Sequence, residues 1–168
     1  MSDDDGGWVS LVLVSAHVVA VIVLIGPVTV AASLFPRYAR RALEDPQGPA
    51  VPVVDVLQRI SSRYAVAALA VPVLGLGAAA SRHVLGQVWV LVSLAVTAVA
   101  AGVLAAAVVP GQRALQREMR KRSLQPSPGG SAPDELRNRL AAATGTFNLL
   151  WVIVVVLMVV QPGAPSGG

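Results

Sequence analysis

Residues 8–34 read WVSLVLVSAHVVAVIVLIGPVTVAASL, an apolar run without a single Asp, Glu, Lys or Arg. A transmembrane helix needs about 20 consecutive apolar residues to cross the hydrocarbon core of a bilayer. This run is longer, so it predicts a membrane-spanning helix. Its one ionisable side chain is His17, and the pair Gly26-Pro27 follows nine residues later. An ionisable group at membrane depth is a functional-site hypothesis by default.

The composition of the whole chain also indicates a membrane protein. Hydrophobic residues make up 55% of the 168 residues and charged residues only 13%, with a mean hydropathy of +0.68. A soluble domain of this size needs a more polar surface. Cysteine is absent, which excludes disulfides, thiolate metal sites and thiol redox chemistry. Only one of the 13 basic residues is lysine, which together with the abundant alanine and valine suggests a GC-rich bacterial genome.

Further apolar stretches predict an all-α, polytopic bundle of four transmembrane helices. The spans are expected at about 8–34, 64–80, 88–109 and 140–160. Pro27 cannot donate a helical hydrogen bond, which predicts a bend in span 1, and Pro110-Gly111 is expected to close span 3. The remaining segments are an acidic tail at 1–7, loops at 35–63 and 110–139, and an uncharged tail at 161–168.

Small residues recur along spans 2 and 3 in a pattern that is typical of close helix packing in membranes. In span 3 the pattern repeats every four residues, which predicts one buried face. The residues concerned are Ala67, Val71, Gly75 and Ala79 in span 2, and Ser93, Thr97, Ala101 and Ala105 in span 3.

The basic residues predict the orientation of the chain. Of the 13, five lie in residues 35–63, seven in 110–139, and Arg82 alone lies between spans 2 and 3. The positive-inside rule assigns the two rich loops to the cytoplasm. Both termini and the connection at 81–87 are then outside, and the expected location is the plasma membrane.

Counting along the helices predicts a polar pocket around His17. At about 1.5 Å per residue, His17 lies roughly 13 Å below Trp8 and at the same depth as Thr97 and Trp151. Asn148 lies one turn deeper. A four-helix bundle could gather these four side chains into one site.

Several roles are open for His17. As a structural residue, neutral His17 donates to a backbone carbonyl or to Thr97 and holds two helices together. Alternatively, it ligates a haem iron or a copper ion, or hydrogen-bonds a quinone. A proton relay is disfavoured because the spans contain no Asp or Glu partner. The other histidine, His83, is expected in a solvated loop, too shallow to share a ligand sphere with His17.

The chain resembles small bacterial integral membrane proteins of unknown function that have four spans and a histidine in the first. The matching features are Ala16-His17-Val18 followed by Gly26-Pro27, the exit Phe35-Pro36-Arg37-Tyr38, and the closing segment at 157–162. More distantly, the early membrane histidine is similar to that of copper-resistance D and HemJ-like membrane proteins. That resemblance implies copper handling or haem at His17.

No set of nucleophile, base and acid is present, so no enzyme is predicted. The pI near 10.7 does not indicate nucleic-acid binding, because the charges lie in blocks beside apolar spans. The sequence favours a non-catalytic structural or accessory subunit that packs against itself or a larger membrane complex. The alternatives are a haem, copper or quinone site around His17, and a small transporter or channel.

Overall fold

The computed structural model describes residues 4–124 and 132–163, and these residues are helical apart from short turns. Four of the helices in this part of the chain are long and apolar enough to cross a membrane: Gly7–Glu44, Ala50–Ser81, Val88–Leu124 and Asp134–Val160. The prediction of an all-α bundle with four spans is therefore confirmed. Residues 1–3 and 164–168 of the predicted tails, and residues 125–131 of the predicted loop at 110–139, lie outside the described residues.

Interruptions divide the first three long helices, so that the described chain has seven α-helical segments. They are α1 (Asp4–Ala20), α2 (Gly26–Glu44), α3 (Ala50–Ala67), α4 (Ala70–Ser81), α5 (Val88–Val103), α6 (Val109–Leu124) and α7 (Ala132–Val160). α1 with α2 forms the first long helix, α3 with α4 the second, and α5 with α6 the third. α7 is the fourth.

Prolines explain all three interruptions. A π turn at Val21–Ile25 joins α1 to α2, and another at Leu104–Val108 joins α5 to α6. Each ends two residues before a proline, Pro27 or Pro110. Because proline cannot donate to the preceding turn, a local change in hydrogen-bond register lets the helix continue. The third long helix consequently does not end at Pro110 but runs on to Leu124.

The break between α3 and α4 has the same cause. Pro72 has no N–H to donate to the carbonyl of Ala68. That carbonyl accepts from the backbone N–H of Val71 instead, at 3.0 Å. The turn at Ala68 and Leu69 therefore separates two helical segments within one long helix.

The bundle has a packed half and an open half. In the packed half α2 packs against α3 and α7, and α6 packs against α3 and α7. Phe35, Leu115 and Phe147 are wholly buried in its apolar core. In the open half α1 pairs with α4, and α5 pairs with the end of α7. These two pairs make few contacts with each other, which leaves a space between them.

Side-chain hydrogen bonds tie α3 to α6 within the packed half. Gln112 is fully buried and donates through Nε2 to Ser61 Oγ at 3.1 Å. Gln116 donates to the carboxylate of Asp55 at 2.8 Å. The Oε1 atom of Gln112 is buried and has no hydrogen-bond partner among the described residues.

The outer surfaces of the long helices are apolar. Within their most hydropathic windows, between 6% and 28% of the residues are buried inside the bundle. Val73, Val88 and Val159 are among the large side chains that point outward. A helix that is apolar all round suits a lipid environment rather than water, which supports a membrane protein.

The predicted faces of small residues are only partly buried. Ser93 is buried and Thr97 half-buried, whereas Ala101 and Ala105 are exposed. A strict four-residue repeat drifts by about 40° per step around a helix of 3.6 residues per turn, so its later members rotate away from the interior. In span 2, Val71 and Ala79 are buried and Gly75 is half-buried, but Ala67 is exposed.

Candidate functional site

A cavity of about 440 Å³ occupies the space between the two helix pairs of the open half. All four long helices contribute to its lining, which is mostly apolar. It extends from Thr97 and Trp151 to Arg82 and Gln161, beyond the ends of α4 and α7. Polar side chains line it at two places: His17, Ser93 and Thr97 lie along its length, and Arg82 and Gln161 lie at its end.

His17 is nine-tenths buried, with 9% of its surface exposed. Its Nδ1 atom lies 3.0 Å from the carbonyl oxygen of Val71. The ring also lies directly against Gly75, where a Cβ atom would come within 2.9 Å of His17 Cε1. The absence of a side chain at Gly75 is therefore what lets α4 approach the imidazole so closely.

The contact with Val71 defines the tautomer of neutral His17. A carbonyl oxygen can only accept, so the proton of the contact belongs to Nδ1. In a neutral imidazole the other nitrogen, Nε2, then carries a lone pair. Nε2 has no hydrogen-bond partner among the residues that the structure describes. It is the ring nitrogen that remains for an occupant of the cavity.

The structure brings together three of the four residues predicted to form the pocket. His17, Thr97 and Trp151 all line the cavity, but Asn148 does not. Asn148 faces α2 instead and donates to Ser33 Oγ at 3.0 Å. Thr97 donates to the backbone carbonyl of Ser93 at 2.7 Å. Of the two partners considered for His17, a backbone carbonyl and Thr97, the structure has the carbonyl.

Ser93 was not predicted as a site residue. It is 2% exposed, it lines the cavity, and its Oγ has no hydrogen-bond partner in the described part of the chain. Its position one turn before Thr97 was the available signal. Gly75 was likewise predicted only as a member of the small-residue face of span 2, yet the imidazole ring of His17 packs directly against it.

The residues around the cavity offer little for a metal ion. Within residues 4–124 and 132–163 there is no group of three or more His, Cys, Asp or Glu side chains able to hold one. His17 and the thioether of Met158 are the two lining groups that could ligate copper or a haem iron. His83 is exposed in the connection between α4 and α5 and does not line the cavity.

No protein-family model, curated protein or solved structure matches this chain.

Proposed function

We propose that this chain is a small integral membrane protein that binds a lipid-soluble small molecule in the cavity of its open half. The observation that supports this most directly is the unpartnered Nε2 of nearly buried His17, beside a cavity of about 440 Å³. Binding pockets for small molecules are typically apolar spaces of about 300–1,000 Å³ with a few well-placed polar groups.

A purely structural role explains only half of the arrangement. The bond from Nδ1 to Val71 holds the first long helix against the second, as a structural histidine would. It does not explain a free lone pair on Nε2 or the unpaired hydroxyl of Ser93. A buried polar group without a partner costs about 1–3 kcal/mol. A ligand that bonds to the buried Ser93 hydroxyl removes that cost, and the same ligand can use the lone pair of Nε2.

The distribution of polar groups suits an amphipathic ligand. Arg82 and Gln161 lie at the end of the cavity where α4 and α7 finish. Apolar side chains and the rings of Trp89 and Trp151 surround the rest. The lining stops at Thr97 and Trp151, and the packed half beyond is filled by the apolar core. This shape favours a binding site that ends inside the bundle over the polar path that a transporter or channel needs.

Cavity filling tests this proposal. Ala79 is buried and lines the cavity, whereas its neighbour Ala80 is exposed and does not. Titration calorimetry of the protein in lipid nanodiscs should show saturable binding of 2-methoxynaphthalene by wild type and by Ala80→Phe. Ala79→Phe, which places the same ring inside the cavity, should lose it. Equal binding by the two variants would mean that the compound partitions elsewhere.

We further propose that the protein lies in a bacterial plasma membrane with both termini outside. Support comes from the positive-inside rule, because exposed arginines concentrate at the packed half, as with Arg37, Arg40, Arg113 and Arg117. The cavity then lies in the outer half of the membrane.

An accessory subunit is the second candidate function. It is favoured by the exposed small residues of the third long helix, including Ala95, Ala98, Gly102 and Ala105. A Cβ at Gly102 would meet nothing within 4 Å in the monomer, so a helix of a second copy or of a partner could approach closely there. Light scattering after mild-detergent purification should show an assembly that Gly102→Leu disrupts and Val99→Leu does not.

A further inference from the structure

We infer that the ligand of this cavity is a hydroxyl compound of the phenol or hydroquinone class that donates a hydrogen bond to Nε2 of His17. This inference rests on the proposed function and gives the chemistry of its ligand. It also predicts that the matching ether or quinone, which lacks the O–H donor, binds less tightly.

The first step is the fixed tautomer. Nδ1 of His17 lies at 3.0 Å from an atom that can only accept, the carbonyl oxygen of Val71. The opposite neutral tautomer would place a lone pair of Nδ1 against a lone pair of that oxygen. It would lose the hydrogen bond and gain repulsion. Neutral His17 therefore presents an acceptor at Nε2, and an acceptor selects a donor.

The second step is the restricted ring. The backbone of α4 lies so close to the imidazole that a Cβ at Gly75 would be 2.9 Å from Cε1 and 3.2 Å from Nδ1. Turning the ring over would also replace Nδ1 by a carbon atom at the Val71 carbonyl. Packing and hydrogen bonding thus favour the same orientation, so the acceptor is already in place before a ligand arrives.

The third step concerns the hydroxyl groups that line the cavity beside His17. The hydroxyl of Ser93 can donate or accept, so it does not distinguish an alcohol from a carbonyl compound. The hydroxyl proton of Thr97 is already donated to the Ser93 carbonyl. Among these three neighbouring groups, His17 is thus the one that selects a donor. The indole rings of Trp89 and Trp151, which also line the cavity, suit an aromatic ring that carries the hydroxyl group.

The test compares 2-naphthol with 2-methoxynaphthalene, which share a ring system but differ in the O–H donor. Titration calorimetry in nanodiscs should give wild type a dissociation constant roughly three- to tenfold lower for 2-naphthol, the effect of one hydrogen bond. In His17→Phe the two constants should agree within about twofold. His17→Asn should behave alike, because its amide N–H can donate to Val71 in place of Nδ1, whereas the shorter side chain does not carry its acceptor Oδ1 out to the position of Nε2.

The outcomes separate this inference from the function on which it rests. If wild type binds the two compounds equally, the donor class is wrong but ligand binding stands. If neither compound binds, or if Ala79→Phe binds both as wild type does, the proposed function itself fails. Nitrogen-15 NMR of His17 gives a readout that does not depend on affinity. A proton found on Nε2 of the neutral ring would overturn the inference.

Discussion

The Nδ1 atom of His17 lies 3.0 Å from the carbonyl oxygen of Val71, which ties the first long helix to the second within the open half of the bundle. Val71 directly precedes Pro72, the residue that breaks the second long helix at Ala68 and Leu69. The same contact that joins the two helices also leaves Nε2 with a lone pair. Structural and binding roles of His17 therefore arise from one interaction.

Removing His17 should destabilise the bundle. We expect His17→Ala to lower the free energy of unfolding by about 1–2 kcal/mol, because it deletes an interhelical hydrogen bond and enlarges a cavity. Unfolding of the detergent-solubilised protein by increasing mole fractions of dodecyl sulfate measures this. His83→Ala, at an exposed loop position, serves as the control and should change stability by less than about 0.5 kcal/mol.

Two glycines of α4 should respond differently to the same substitution. In Gly75→Ala the added Cβ would lie 2.9 Å from His17 Cε1, so the ring must move and the bond to Val71 weakens. In Gly77→Ala the nearest atom, Leu13 Cδ2, would lie at an ordinary 3.7 Å. We expect Gly77→Ala to be neutral or to stabilise by up to about 1 kcal/mol through helix propensity. Gly75→Ala should be less stable than Gly77→Ala in the same unfolding assay, and it should bind 2-naphthol less tightly than wild type. Equal behaviour of the two variants would contradict a close fit of His17 on Gly75.

The long apolar runs were sufficient to predict four helices, because a span of about 20 apolar residues has few other uses. The sequence did not indicate how proline would act. Pro110 was expected to close span 3, but a π turn before it allows the helix to continue. It was harder still to predict which side chains line the cavity. Thr97 and Trp151 were predicted from depth alone, whereas Asn148 points to Ser33 because rotation about the helix axis is set by packing.

Replacing His83 by glycine should stabilise the protein. His83 has φ of 55° at the end of α4, where the N–H of His83 bonds to Ala80 and that of Val84 bonds to Ala79. This is the hydrogen-bond pattern of a Schellman motif, in which glycine is the preferred residue. We expect His83→Gly to raise the free energy of unfolding by about 0.5–1 kcal/mol. Thermal unfolding should show the gain for glycine and not for His83→Ala, which keeps the strained backbone.

The buried pair of Ser61 and Gln112 should show strong coupling. Ser61→Ala alone leaves the amide of Gln112 without the Ser61 hydroxyl that it contacts at 3.1 Å, and should cost about 1–3 kcal/mol. Replacing both groups by apolar ones, in Ser61→Ala with Gln112→Met, should restore stability to near the wild-type value, since no unpaired polar atom remains. Unfolding of the two single variants and the double variant gives the coupling energy. Additive losses would show that the two side chains act independently.

The proposed orientation can be tested without altering any native thiol, because the chain contains no cysteine. His83 and Arg117 are both exposed and lie in opposite halves of the bundle, in the connection between α4 and α5 and on α6. A membrane-impermeant maleimide should label His83→Cys in intact cells and Arg117→Cys only after permeabilisation. Val108→Cys, which is fully buried, should remain unlabelled in both cases. Reversed labelling would show that the cavity lies in the cytoplasmic half of the membrane, so that its ligand enters from that side. The contact between His17 and Val71 would be unaffected.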